Sequence, residues 1–186
     1  MFDPEDLDAA YAELDRRYFA GEAVAAGQVA VVMETFLRAI AIRDWSLMAS
    51  VLAPDLVVTD HRPLGWETMR GSAAYVDSLK SLVEFAPDVR LRNDHLRLST
   101  RAALFVNTWV GTREGGAFEA PRAVVFGLDA GGRIHSMDFY EFEVRFEGAG
   151  VEQLADAEAR FAAVGTGAGR DPLRCAGEAE RGDTRE

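Results

Sequence analysis

Cysteine is nearly absent: Cys175 is the only one in 186 residues. That excludes an internal disulfide framework and a zinc site built on cysteines. Histidine is scarce too. His61, His95 and His135 are the only three, and none shows the His-x-x-x-His spacing of a helical metal site. Nothing points to a site of three histidines, or of two with a carboxylate, although the sequence leaves one open, and no metal and no organic cofactor is expected. Positive charge is short, with 20 basic against 31 acidic residues and a net charge of −11. Such a surface repels phosphates, so nucleic acid is not an expected partner. No apolar run approaches the roughly 20 residues that span a bilayer, so no membrane is expected either. The acidic start, Met1-Phe2-Asp3-Pro4-Glu5-Asp6, has no signal-peptide core, which leads to a cytoplasmic expectation. Gly111 to Gly116 lacks the Lys-Ser/Thr and following helix of a phosphate loop and reads as a hairpin turn.

What is present is an ordinary globular composition, 48% hydrophobic and 27% charged. No internal repeat is visible. Asp3 and Pro4 open a helix carrying Leu7, Tyr11, Leu14 and Tyr18 at helical spacing, and 23–27 reads as a linker. A helix over 28–42 presents Val29, Val32, Phe36 and Ile40. Asp44 caps a short helix that Pro54 stops, and a strand runs from Leu56 to Asp60. After a loop with Pro63 and Gly65, Ser72 is expected to cap a further helix with Tyr75, Val76, Leu79 and Val83. The remainder reads as strands over 89–98, 102–111, 117–128 and 133–146. The apolar phase slips near Arg92-Asn93-Asp94, which predicts a bulge. A helix over 151–164 and a disordered, dispensable tail complete the chain; Cys175 in that tail is expected to be exposed.

Helices followed by long strands predict an α+β fold: a cone-shaped, strongly bent antiparallel sheet wrapped around the N-terminal helices and enclosing an apolar pocket. The expected organisation is a helical extension (1–22), a pocket domain (23–146), a C-terminal helix (147–164) and a tail (165–186). Val106, Thr108 and Val110 alternate on a middle strand. An apolar outer face left in water would be an interface, so a homodimer is expected.

Three segments carry a resemblance: Phe36 to Asp60, Leu64 to Leu79, and Gly127 to Glu141. In the last, Gly127-Leu128-Asp129-Ala130-Gly131-Gly132-Arg133-Ile134 reads as a closing hairpin and Met137-Asp138-Phe139-Tyr140 follows. Over about residues 28–146 the order resembles the nuclear transport factor two superfamily, and within it the SnoaL-like polyketide cyclases. That resemblance implies cofactor-independent acid/base chemistry on a hydrophobic cyclic or carbonyl compound: cyclisation, isomerisation or water addition. The alternative is a non-catalytic ligand-binding or dimerisation module. His61-Arg62-Pro63-Leu64-Gly65-Trp66 also resembles appendage domains of large actinobacterial regulators, which implies no reaction.

By the resemblance, Asp60 falls where ketosteroid isomerases place their base, but Phe36 and Val124 stand where their hydrogen-bond donors would be. A strand-end cap of the following loop is the other reading of Asp60. Asp138 is similar in place to the cyclases' acid/base and to an aspartate of limonene epoxide hydrolases, whose Arg and second Asp are Thr108 and Val110 here. One deleted residue after Ser136 would turn Asp138 and Tyr140 into the pocket; without it Met137 and Phe139 face inward. His61 and His95 are further acid/base candidates. Phe36, Trp66, Tyr75, Phe105, Trp109, Phe126 and Tyr140 are the expected walls for a hydrophobic small-molecule ligand, although any core would use such residues. Trp66, in a Pro/Gly loop, reads as a lid or an interface residue. The arginines at 90, 92, 97, 101 and 113 read as salt-bridged surface in preference to a carboxylate site.

Overall fold

The computed structural model describes residues 7–142 and 149–166, with side chains from residue 9 and, in the last helix, from residue 153. The proposed capping Asp3, the end of the last predicted strand, the tail and Cys175 lie outside them. The elements are α1 (Leu7–Ala20), a 3-10 helix (Glu22–Ala26) where a linker was expected, α2 (Gln28–Ile42) and α3 (Trp45–Val51). Then follow β1 (Leu52–Asp60), β2 (Met69–Arg70), α4 (Ser72–Phe85), β3 (Arg90–Leu98), β4 (Ala102–Arg113), β5 (Gly116–Leu128), β6 (Ile134–Glu141) and α5 (Ala149–Gly165).

Local chemistry sets most boundaries. Asp44 accepts from the Leu47 amide at 2.9 Å and caps α3. Ser72 does not cap α4; Gly71 stands at that position with φ 91°, and no side chain bonds there. The β4–β5 hairpin turns on Glu114 and Gly115, both at positive φ (51° and 82°), as a two-residue loop with this twist requires.

The six strands form one curled sheet in the order β2-β1-β6-β5-β4-β3. It is mixed, not purely antiparallel: β1 runs parallel to β6, and every other pair is antiparallel. The expected bulge is present, because the β3–β4 register slips between Asn93 and His95. A second irregularity decides the orientation of β6. Gly127 pairs with Ser136 and Leu128 with Ile134, so His135 is the extra residue. From Ser136 onward no residue is skipped.

The concave face carries Val58, Phe105, Trp109, Val124, Phe126, Met137 and Phe139, packed on Phe36 and Met33 of α2 and on Tyr75 and Leu79 of α4. The opposite face carries Leu104, Val106, Ala123, Val125 and Tyr140. It packs against Ala157, Leu154 and Phe161 of α5. The reason given above for a homodimer therefore falls away around Val106, whose apolar face is covered by the chain's own helix. Thr108 donates to Asp94 at 2.6 Å.

Candidate functional site

Alternation assigns each candidate to a face. On β1, Leu56 and Val58 point inward, and so does Asp60, whose partner across the parallel pair is the inward Phe139. On β6, Asp138 pairs with Val125 and Tyr140 with Ala123, both on the outer face. Asp60 and Asp138 thus lie on opposite faces and do not form a two-carboxylate site together. The physical cause is the bulge at His135, which lies upstream of Ser136 and leaves Met137 and Phe139 inside.

On the outer face Asp138 joins a compact cluster. His61 Nε2 is 3.0 Å from its Oδ1, and Arg160 Nε of α5 donates to its Oδ2 at 2.9 Å. The His61 ring stacks on Tyr140, with centroids 4.7 Å apart and planes 13° from parallel. Burial pushes the Asp138 carboxyl up, but the bonds from His61 and Arg160 outweigh it and hold the group below the ordinary aspartate range. Asp138 thus ties α5 and the start of the 61–68 loop to β6. Burial and the Asp138 charge together raise the Tyr140 hydroxyl well above its ordinary value.

A depressed carboxyl stabilises the fold fully above its unfolded pKa and loses that contribution as pH falls through the folded value. The Asp138 contribution should therefore begin to fall near pH 4 and be gone only below the lowered folded value. Asp138→Asn leaves Arg160 and His61 with a neutral partner, so a loss of about 2–3 kcal/mol at pH 7 is expected. The variant should also show a flatter acid limb in urea titrations below about pH 5. Equal stability of the two proteins at pH 7 would rule that tie out.

Asp60 is tied differently. It accepts from Arg62 Nε at 2.8 Å and Nη2 at 2.7 Å, and from the amides of Arg62 and Trp66 at 3.2 and 3.1 Å. Burial raises this carboxyl too, but the Arg62 and amide bonds bring it below the ordinary value. The loop closes tightly over it: a Cβ on Gly65 would lie 2.7 Å from the Asp60 Cγ, so the position needs glycine.

Beside this loop, between α4 and the ends of β4 and β5, lies a cavity of about 650 Å³. Trp66, Met69, Leu82, Phe85 and Phe118 form much of its wall, with Tyr75, Trp109 and Arg122 along the sheet and helix side. Of the expected aromatic residues, Trp66, Tyr75 and Trp109 line it. Phe36, Phe105 and Phe126 do not; they form a closed cluster of edge-on rings beneath, with centroids 4.8–6.4 Å apart. Tyr140 and His61 are on the other face. His95 is exposed on β3, opposite Val106, and does not border the cavity.

Arg122 is the residue that sequence reasoning missed. It is 7% exposed and lies inward on β5, in phase with Val124, Phe126 and Leu128. The Phe139 and Trp109 rings flank its guanidinium, with centroids 4.4 and 5.6 Å away. Its Nε donates to Asn107 Oδ1 at 3.3 Å. Burial lowers the Arg122 pKa and raises that of Tyr75, whose hydroxyl accepts a hydrogen bond from the Arg122 guanidinium. An arginine in step with three inward apolar residues was the available signal. The arginines that were weighed behave as surface: Arg92 pairs with Asp94 at 2.8 Å and Arg97 with Glu158 at 2.9 Å.

Residues 33–137 match the family model of the SnoaL-like domain. The chain belongs to that family. Solved structures share the fold at low identity. An NTF2-like protein of unknown function from Burkholderia pseudomallei superposes with a TM-score of 0.52 at 18% identity, covering 69% of this chain and 96% of that one. A ketosteroid isomerase-like fold from Catenulispora acidiphila, in complex with trimethylamine, gives 0.50 at 16% identity, over 59% and 84%. A Jannaschia protein named for SnoaL-like polyketide cyclases gives 0.50 at 14%, over 59% and 83%. No curated protein matches. Among the described residues no helix is long and apolar enough to cross a membrane, and no cluster of metal-ligating side chains is present.

Proposed function

We propose that this SnoaL-like domain captures a hydrophobic, ring-containing small molecule in its inner cavity, as a ligand-binding domain. The observation that carries this reading is the apolar cavity of about 650 Å³, walled by Trp66, Trp109 and Phe118. That volume lies within the range of small-molecule sites. Trp66 is 54% exposed, so one wall is a loop side chain that a ligand can displace. Neutral Nile red should bind saturably with a rise in fluorescence. Ser78→Trp, which fills the cavity from α4, should weaken that binding by about tenfold or more. Unchanged dye binding in a folded Ser78→Trp protein would sink the reading.

A second reading is a cofactor-independent acid/base enzyme, and the inward position of Asp60 favours it over the Asp138 version. Asp60 shares the concave face with Tyr75 and Arg122, and its charge reaches Arg122. In that reading Asp60 accepts a substrate proton after Arg62 swings away, and the Tyr75 hydroxyl and Arg122 hold the developing oxyanion. Asp60→Asn would then abolish turnover of an identified substrate while leaving its affinity within a few-fold. Asp138→Asn would leave turnover intact.

A further inference from the structure

The two positive groups facing the cavity are Arg62 and Arg122, and they are not equivalent. Arg62 is neutralised by the two-point pair to Asp60, with bonds of 2.8 and 2.7 Å. Arg122 has no such partner. No carboxylate among the described residues lies within 4 Å of it, although it is almost fully buried. Glu141, its neighbour across β6, makes no ion pair with it. A buried, unpaired guanidinium is costly, and a protein retains one where something supplies the missing negative charge.

The surroundings say what that something is. Aromatic rings flank the guanidinium, Nε is spent on Asn107 and one further bond goes to the Tyr75 hydroxyl, so the remaining N–H groups on the cavity side are left for a planar, two-oxygen acceptor. Behind Arg122, outside the cavity wall, lies Asn107. Asn107 is 0% exposed, and its Nδ2 has no hydrogen-bond partner. Asn107 and Arg122 face each other across β4 and β5 on the concave side. One cation without a carboxylate partner suits a single negative charge; a phosphate dianion asks for more donors than the wall presents. The rest of the wall is aliphatic and aromatic apart from Ser78 and Ser81, whose hydroxyls donate to carbonyls of their own helix.

We propose that the cavity takes aromatic or alicyclic monocarboxylates, with the carboxylate seated on Arg122 and the ring body against Trp66, Trp109 and Phe118. This deepens the ligand-binding reading and rests on it. The test is a calorimetric titration of the full chain with benzoate, 2-naphthoate and cyclohexanecarboxylate, each against its own carboxamide. The acid of at least one pair should bind about tenfold tighter than its amide at pH 7. Arg122→Gln should erase that preference by weakening the acid and sparing the amide. Arg122→Lys, which keeps charge but not the planar fork, should retain part of it. Equal binding of acids and amides by the wild-type protein would overturn the carboxylate assignment and leave the apolar cavity reading standing. So would an Arg122→Gln protein that loses acid and amide alike. Failure of every probe, Nile red included, would remove both readings together.

Discussion

Phe36→Ala is expected to lower unfolding free energy by about 3–5 kcal/mol, the range for emptying a fully buried phenylalanine site. Phe36 is 1% exposed. Its ring meets Phe126 edge-on at 4.8 Å and Phe105 at 6.4 Å, and stacks on Tyr75 at 6.5 Å. It therefore links α2 to the sheet and supports the tyrosine beside the cavity. A sheet held by its own ladder cannot collapse into the space the ring leaves, which places the cost toward the upper end. The denaturant midpoint should fall with an unchanged slope. Phe36→Leu, which leaves a smaller void, should cost less than half as much. The experiment separates two assignments of this residue. A side chain that walls a ligand site would cost affinity and little stability; the key ring of a core costs stability first. A midpoint shift equivalent to less than about 1 kcal/mol would mean that α2 is not fastened through Phe36.

The helices and strands were legible because their side chains repeat with clean periods. Val29, Val32, Phe36 and Ile40 mark one face of α2, and the phase slip around Asn93 gave the β3 bulge. The face of β6 was not legible, because it depends on one residue. An alternating strand reads equally well in either phase until its extra residue is located, and His135 carries no glycine or proline to mark it. Everything attached to that phase moved with it, so Asp138, Tyr140 and His61 form an outer cluster and Asp60 lies on the concave face without Asp138. Arg122 was hidden for a different reason. A charged residue after Pro121 reads as solvated surface, and only its register with Asn107 and its ring neighbours show it to be interior. The parallel pairing of β1 with β6 is a long-range choice, and no local pattern encodes it.

Removing α5, by ending the chain at Phe142, is expected to have the largest effect of all on the behaviour of the protein. The helix covers Leu104, Val106, Ala123, Val125 and Tyr140 with Leu154, Ala157 and Phe161. Each large apolar side chain returned to water costs about 1.5–3 kcal/mol, so the loss across this face is on the order of 5 kcal/mol. Arg160 goes with the helix, leaving the buried Asp138 with His61 alone, and Arg97 loses both Glu158 at 2.9 Å and its seat over Phe161 at 5.4 Å. The uncovered surface is apolar and central in the sheet, the kind of patch that recruits a partner. Two results are therefore expected together: a fall in melting temperature of roughly ten degrees or more, and concentration-dependent self-association by light scattering. The full chain should associate less than the truncated one at every concentration, because its own helix occupies the face. A truncated protein that remains monomeric and melts where the full chain does would show that α5 is only an appendage, and would return the outer face to the dimer interface first inferred from Val106, Thr108 and Val110.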